Sequence, residues 1–192
     1  MATTSRTTAI AAILLAAIVG AYWYWSPYLT IRQMQTAAQK HDADAFSERV
    51  DYPKLRESLK GQYAAQVADK MAETVGPGTV AAFGTMLGTA VTNQMVETLV
   101  RPEMVMRAMN EGKVALVPGK AEGTEETEPG APAEKPDWKY ERKGVNRLIG
   151  YPADPSKASQ PKEERPGFVF DRTGFADWKL TEMRLPLPTK KN

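Results

Sequence analysis

The chain has 192 residues, 42% of them hydrophobic and 25% charged, enough for one domain of about 100–150 residues with accessory segments. A formal net charge of +2 gives no polyelectrolyte character, so composition offers no case for nucleic-acid binding. Cysteine is absent and histidine occurs once, at His41. That excludes a disulfide framework, a thiolate zinc site, a Cys nucleophile and a lipoprotein-type lipid anchor.

Residues 1–8 are polar and carry Arg6. From Ala9 to Trp25 there is neither charge nor proline, and as a helix this run spans roughly 25 Å, a little under the ~30 Å hydrocarbon core of a bilayer. The block Tyr22-Trp23-Tyr24-Trp25 follows directly, and such amphipathic rings concentrate where bilayer meets water. Residues 9–25 are therefore expected to be a transmembrane signal anchor. A cleaved signal peptide is the rival, because Val19-Gly20-Ala21 places small residues where processing occurs. Arg6 on one side and Arg32 and Lys40 on the other nearly balance the positive-inside bias. Placement at the extreme N-terminus favours residues 1–8 in the cytoplasm and the domain outside, tethered to a bacterial inner membrane and facing the periplasm or exterior.

Ser26-Pro27 reads as an N-cap followed by Pro at the first helical position, opening a second helix from Tyr28 to about Lys40 with Tyr28, Ile31, Met34 and Ala38 on one stripe. Asp42 caps a short helix carrying Phe46 and Val50. Asp51-Tyr52-Pro53 repeats the start signal, and Leu55, Leu59, Tyr63, Val67 and Met71 recur at steps of four until near Val75. Gly76-Pro77-Gly78 breaks the pattern. Thr79–Val100 is rich in small residues and contains Gly84-Thr-Met-Leu-Gly88; its many polar side chains make a tightly packed soluble helix the better reading than a membrane-packing one. A last helix runs from Met104 to Asn110 and closes at Gly112. Residues 26–117 form the helical part of the domain.

From Pro118 to Asp137 six acidic residues face two basic ones among repeated Pro and Gly, a composition expected to remain disordered. Residues 138–186 carry the strand character: one long strand over Trp138–Tyr151, bent or interrupted at Gly144; a second through Phe168-Val169-Phe170; and a third over Trp178–Leu185. Residues 187–192 are a tail. Along the last strand, Trp178 and Leu180 alternate with Lys179, Thr181 and Met183, and Glu182 breaks the alternation, which suggests a bulge. Trp178 is expected to be buried against the helices. Helices first and strands afterwards indicate an α+β domain, with helices packed on a small antiparallel sheet.

Ser26-Pro27-Tyr28-Leu29-Thr30-Ile31-Arg32-Gln33, the stretch Asp42 to Leu59 and the ending from Phe170 to Trp178-Lys-Leu resemble the bacterial family called domain of unknown function 2939, over about Ser26 to Pro186 without the two polar loops. The resemblance implies a membrane-tethered or exported protein without an assigned activity and supplies no functional residues. The first two helices and the aromatic-rich C-terminal hairpin are also similar to the nuclear-transport-factor-like cone fold, from which the helical insert Gly78–Glu111 departs.

His41 with Asp42 and Asp44 is the cluster closest to an acid–base set, yet Asp42 is more simply a cap and His41 sits at a helix C-terminus. No Ser stands in a Gly-x-Ser-x-Gly context. Glycines 76, 78, 84 and 88 follow no strand, against a phosphate loop, and Glu122–Glu128 lack the spacing of a calcium loop. Arg142, Lys143 and Arg147 read as a solvated sheet face ahead of a contact with an anionic ligand or lipid headgroup. No catalytic, cofactor-binding or metal-ligating residue is assigned. The leading functional expectation is a non-enzymatic binding or interaction module. The alternative is a small-molecule binder or enzyme with a cone-like pocket lined by Tyr28, Tyr52, Trp138 or Trp178, and a third is membrane assembly through the Gly84 helix.

Overall fold

A computed structural model describes residues 2–75, 93–112, 136–153 and 165–185. Helix α1 covers Ala2–Gln39 with Pro27 in its interior, about 57 Å of continuous helix at 1.5 Å per residue. The two helices expected on either side of Ser26-Pro27 are thus one. A proline inside a helix cannot donate to the carbonyl four residues back, here that of Trp23. The hydroxyl of Ser26 donates to that carbonyl instead, at 2.9 Å. Ser26 therefore repairs the gap left by its neighbour, which is a different task from capping a new helix.

Helix α1 ends at a residue in the left-handed region, His41 at φ 56°. The amide of His41 donates to Ala38 O (3.3 Å) and that of Asp42 to Ala37 O (2.9 Å), the paired bonds of a Schellman stop. His is one of the few side chains that tolerates this backbone, so His41 has a structural account. Asp42 then caps α2, Ala43–Ser47, by accepting from Ala45 N at 3.0 Å, as its sequence position indicates. Asp51 does the same for Lys54 N at 3.3 Å ahead of α3, Tyr52–Val75, whose Leu55, Leu59 and Tyr63 are buried. Residues 93–99 are helical, and α4 runs Pro102–Glu111 with Gly112 as its C-cap at φ 64°. The Gly84–Gly88 segment and most of the acidic Pro118–Asp137 stretch lie outside the described residues.

Four strands follow: β1 Trp138–Lys143, β2 Arg147–Pro152, β3 Gly167–Arg172 and β4 Trp178–Arg184. They form one antiparallel meander in the order β1-β2-β3-β4. The single strand expected over Trp138–Tyr151 is a hairpin. Gly144 takes φ 68°, a conformation that costs glycine nothing, so the chain reverses there and Trp138 pairs with Pro152. Between β3 and β4 the register shifts: Phe170 opposes Leu180 and Val169 opposes Glu182, leaving Thr181 as the extra residue of a bulge. The bulge advances the alternation by one. Trp178 and Leu180 before it, and Met183 and Leu185 after it, are all buried in the main core, whereas simple alternation places Met183 on the opposite face.

The helices pack on one face of the sheet, where Met34, Phe46, Leu55, Leu59, Val105, Leu148, Phe168, Phe170 and Trp178 belong to one core. Ile149, Tyr151 and Val169, pointing the other way, make a second, smaller cluster. The edge strand β4 is closed by the helical layer. Leu180 N donates to Arg49 O (2.8 Å) and Asp51 N to Leu180 O (2.9 Å). The Gln62 amide, on α3, both donates to Met183 O and accepts from Leu185 N, each at 2.9 Å. An edge paired in this way offers no free ladder for another chain.

Candidate functional site

The seam between α1 and the sheet carries two neighbouring features. The first is a pocket lined by Ile31 and Gln35 of α1, Met109 of α4, Trp138 and Tyr140 of β1, Gly150 of β2, and Phe168 and Phe170 of β3. Gly150 makes room for it: a Cβ there meets Tyr140 Cε1 at 3.1 Å and Trp138 Cε3 at 3.7 Å. Gln35 Nε2 donates to the Tyr140 hydroxyl at 3.2 Å. Burial raises the Tyr140 pKa, the Gln35 hydrogen bond opposes that, and the Asp137 charge adds to it, for a net rise. The phenol is therefore neutral at physiological pH, and no carboxylate or cation lines the pocket. Its cavity volume is about 10 Å³, room for about one water and far below the roughly 300–1,000 Å³ of ordinary small-molecule sites.

The second feature is the point where α1 enters the domain. Every side chain from Thr8 to Tyr22 is exposed, whereas Ser26 and Pro27 are buried. At that boundary the indole N–H of Trp178 donates to Ser26 Oγ at 2.8 Å, so the hydroxyl that completes the helix also receives the tryptophan that opens β4. Two guanidinium groups flank it. Arg142 lies 4.4 Å from the Tyr24 ring centroid, 5.8 Å from that of Trp178 and 6.0 Å from that of Tyr28, and donates to Tyr24 O at 2.7 Å. Arg172 lies 4.0 Å from the Trp23 centroid and 4.6 Å from that of Trp178. It donates to the carbonyls of Val145 and Phe175, the tips of the β1–β2 and β3–β4 connections. Cation–π contacts of this kind are each worth about 0.5–2 kcal/mol, depending on desolvation.

Of the four aromatic residues singled out from the sequence, Trp138 lines the pocket. Tyr28 stands edge-on to the pocket residue Tyr140, centroids 6.0 Å apart. Tyr52 is elsewhere, its hydroxyl 2.8 Å from that of Ser47, and burial raises its pKa. Trp178 is buried at the helix entry. Gln35 and Tyr140 had no local signal, since their pairing spans 105 residues. The basic group divides: Arg142 stacks on rings of α1, while Arg147 makes a two-point ion pair with Asp171 (2.7 and 3.0 Å). Burial would raise the Asp171 carboxyl, but bonds from Arg147 and from Thr181 (2.8 Å) outweigh it and hold it below its ordinary value. Among the described residues, no group of three or more His, Asp or Glu side chains is placed to hold a metal ion.

Residues 15–108 match the family model described as "Protein of unknown function (DUF2939)". Over that stretch, a little under half of its length, the chain is similar to this family. The DUF2939 match begins inside the apolar run of α1 and ends in α4. It therefore includes Ser26 and the helix entry, and stops short of the sheet and of Phe170–Leu180, which the sequence resemblance had also drawn on. No curated protein and no solved structure matches the chain.

Proposed function

We propose that this protein is a single-pass, membrane-anchored domain of the bacterial cell envelope that works as a binding or interaction module without catalysis. The residues of α1 before Trp23 cross the inner membrane with the N-terminus in the cytoplasm, and the α+β domain faces the periplasm or exterior. One observation carries this reading. Among the described residues one helix is long and apolar enough to cross a membrane; its side chains from Thr8 to Tyr22 are exposed, whereas Ile31, Met34, Ala37 and Ala38 in its second half belong to the core. Ile10, Ile13, Leu14, Leu15, Ile18 and Val19 are all exposed, a contiguous apolar surface that water disfavours.

Alkaline extraction of membranes, with N-terminal sequencing and protease protection, tests it. The anchor reading requires an unprocessed N-terminus in the membrane pellet and a protease-sensitive domain on the non-cytoplasmic side. A soluble product beginning near Tyr22 would instead establish export after cleavage at Val19-Gly20-Ala21. A second reading, a small-molecule site of the cone-fold kind, draws on the Gln35–Tyr140 pair as the polar element of an otherwise apolar pocket. Thermal-shift screening of the full chain, against a Tyr140→Phe control, separates it from the first.

A further inference from the structure

We infer that the two hairpin tips bearing Val145 and Phe175, with Arg142 and Arg172 behind them, form a second membrane contact that seats the domain on anionic lipid headgroups beside its anchor helix. The inference rests on the anchor reading above. Val145 is 57% and Phe175 64% exposed, on two separate connections between strands. Single exposed apolar residues are ordinary, but these two share one location. The Arg172 guanidinium bonds to the carbonyls of both and lies 4.0 Å from the Trp23 ring centroid. Both tips therefore stand level with the aromatic block in which the apolar run ends, where an anchored helix meets the headgroups. Tyr22, Tyr24 and Trp25 are exposed at the same level, so apolar surface continues from the helix onto the tips.

The charge at this level is unbalanced. Among the described residues, neither Arg142 nor Arg172 forms an ion pair with a carboxylate; their described partners are main-chain carbonyls and aromatic rings. Burial, and then the neighbouring Arg142 charge, lower the Arg172 pKa, as two cations held together require. A leaflet of anionic phosphates supplies the missing counter-charge, and attracts basic groups within about a Debye length of its surface. The Phe175 tip is held in a fixed shape: Thr173 N donates to Asp177 O (2.9 Å), Thr173 Oγ1 to Asp177 Oδ2 (2.7 Å), and Arg49 pairs with Asp177 at 2.9 Å.

The absence of cysteine permits a direct test on the full chain in lipid nanodiscs. A solvatochromic dye is placed by Asn146→Cys, beside the native Val145, and in a second protein by Leu14→Cys within the apolar run. Lipids spin-labelled near the glycerol backbone serve as quenchers for position 146, and lipids spin-labelled in mid-chain for position 14. The expected result is loss of emission at both positions, several-fold stronger at 146 with phosphatidylglycerol than with phosphatidylcholine, and weakened by salt. Adding Val145→Ser and Phe175→Ser should return the dye at 146 to water. Quenching at 14 with none at 146 overturns the inference and leaves the anchor intact. Equal quenching at 146 in both lipids overturns the anionic-headgroup assignment. No quenching at 14 overturns the anchor reading and the inference together.

Discussion

Replacing Trp178 by alanine removes the largest fully buried side chain of the domain and, with it, the only described partner of Ser26 outside α1. Truncation of a buried aromatic costs about 3–5 kcal/mol. Losing the indole N–H to Ser26 adds about 1 kcal/mol, and the ring faces used by Arg142 and Arg172 account for a similar amount again. Against a total stability of about 5–15 kcal/mol for a domain, Trp178→Ala should leave little or no cooperative unfolding transition. The assay is urea denaturation of the full chain in mild detergent, followed by far-UV circular dichroism, because the four tryptophans complicate fluorescence. Trp178→Phe and Ser26→Ala dissect the loss. Trp178→Phe keeps a ring and removes the donor. Ser26→Ala strands both the indole N–H and the Trp23 carbonyl, at about 1–3 kcal/mol. The double variant should show a coupling of about 1 kcal/mol. An unchanged urea midpoint for Trp178→Ala would refute the placement of this residue as the keystone between helix and sheet.

Gly150→Ala should destabilise the domain by about 1–3 kcal/mol by forcing the Tyr140 ring aside, read as a fall in melting temperature; a neutral result would show that the ring moves freely. Asp42→Ala should cost about 1 kcal/mol through loss of the α2 cap, measured as a shift in urea midpoint without change in slope. The depressed Asp171 pKa carries a definite sign. A carboxyl whose folded value lies below its unfolded value of about 3.9 stabilises the fold above that pH, and the contribution disappears as pH falls through the folded value. Urea midpoints measured from neutral pH downwards should therefore fall below about pH 4, and Asp171→Asn should flatten that part of the profile.

What local chemistry dictates was legible along the chain. An uncharged apolar run ending in four aromatic residues needs no partner to declare itself a candidate membrane helix. The caps at Asp42, Asp51 and Gly112 each close within a few residues. Steps of four from Leu55 to Tyr63 place one helical face in the core, and helices followed by strands determine the α+β class. Tertiary structure decided the rest, wherever a residue's partner lies far along the chain. Ser26-Pro27 carries a helix-start signal, yet the Ser26 hydroxyl joins the Trp23 carbonyl on one side and the Trp178 indole, 152 residues away, on the other, and the helix continues. Gly144 announces a bend in isolation, and only the pairing of Trp138 with Pro152 makes it a hairpin. Thr181 becomes a bulge because Phe170 and Val169 select Leu180 and Glu182 across the ladder, which turns Met183 into the core. Arg142 and Arg172 are ordinary solvated cations as letters; the rings of α1, more than a hundred residues earlier, hold them beside the aromatic block. Spacing encodes contacts within a turn or a strand, and contacts between segments depend on a packing solution that no local pattern contains.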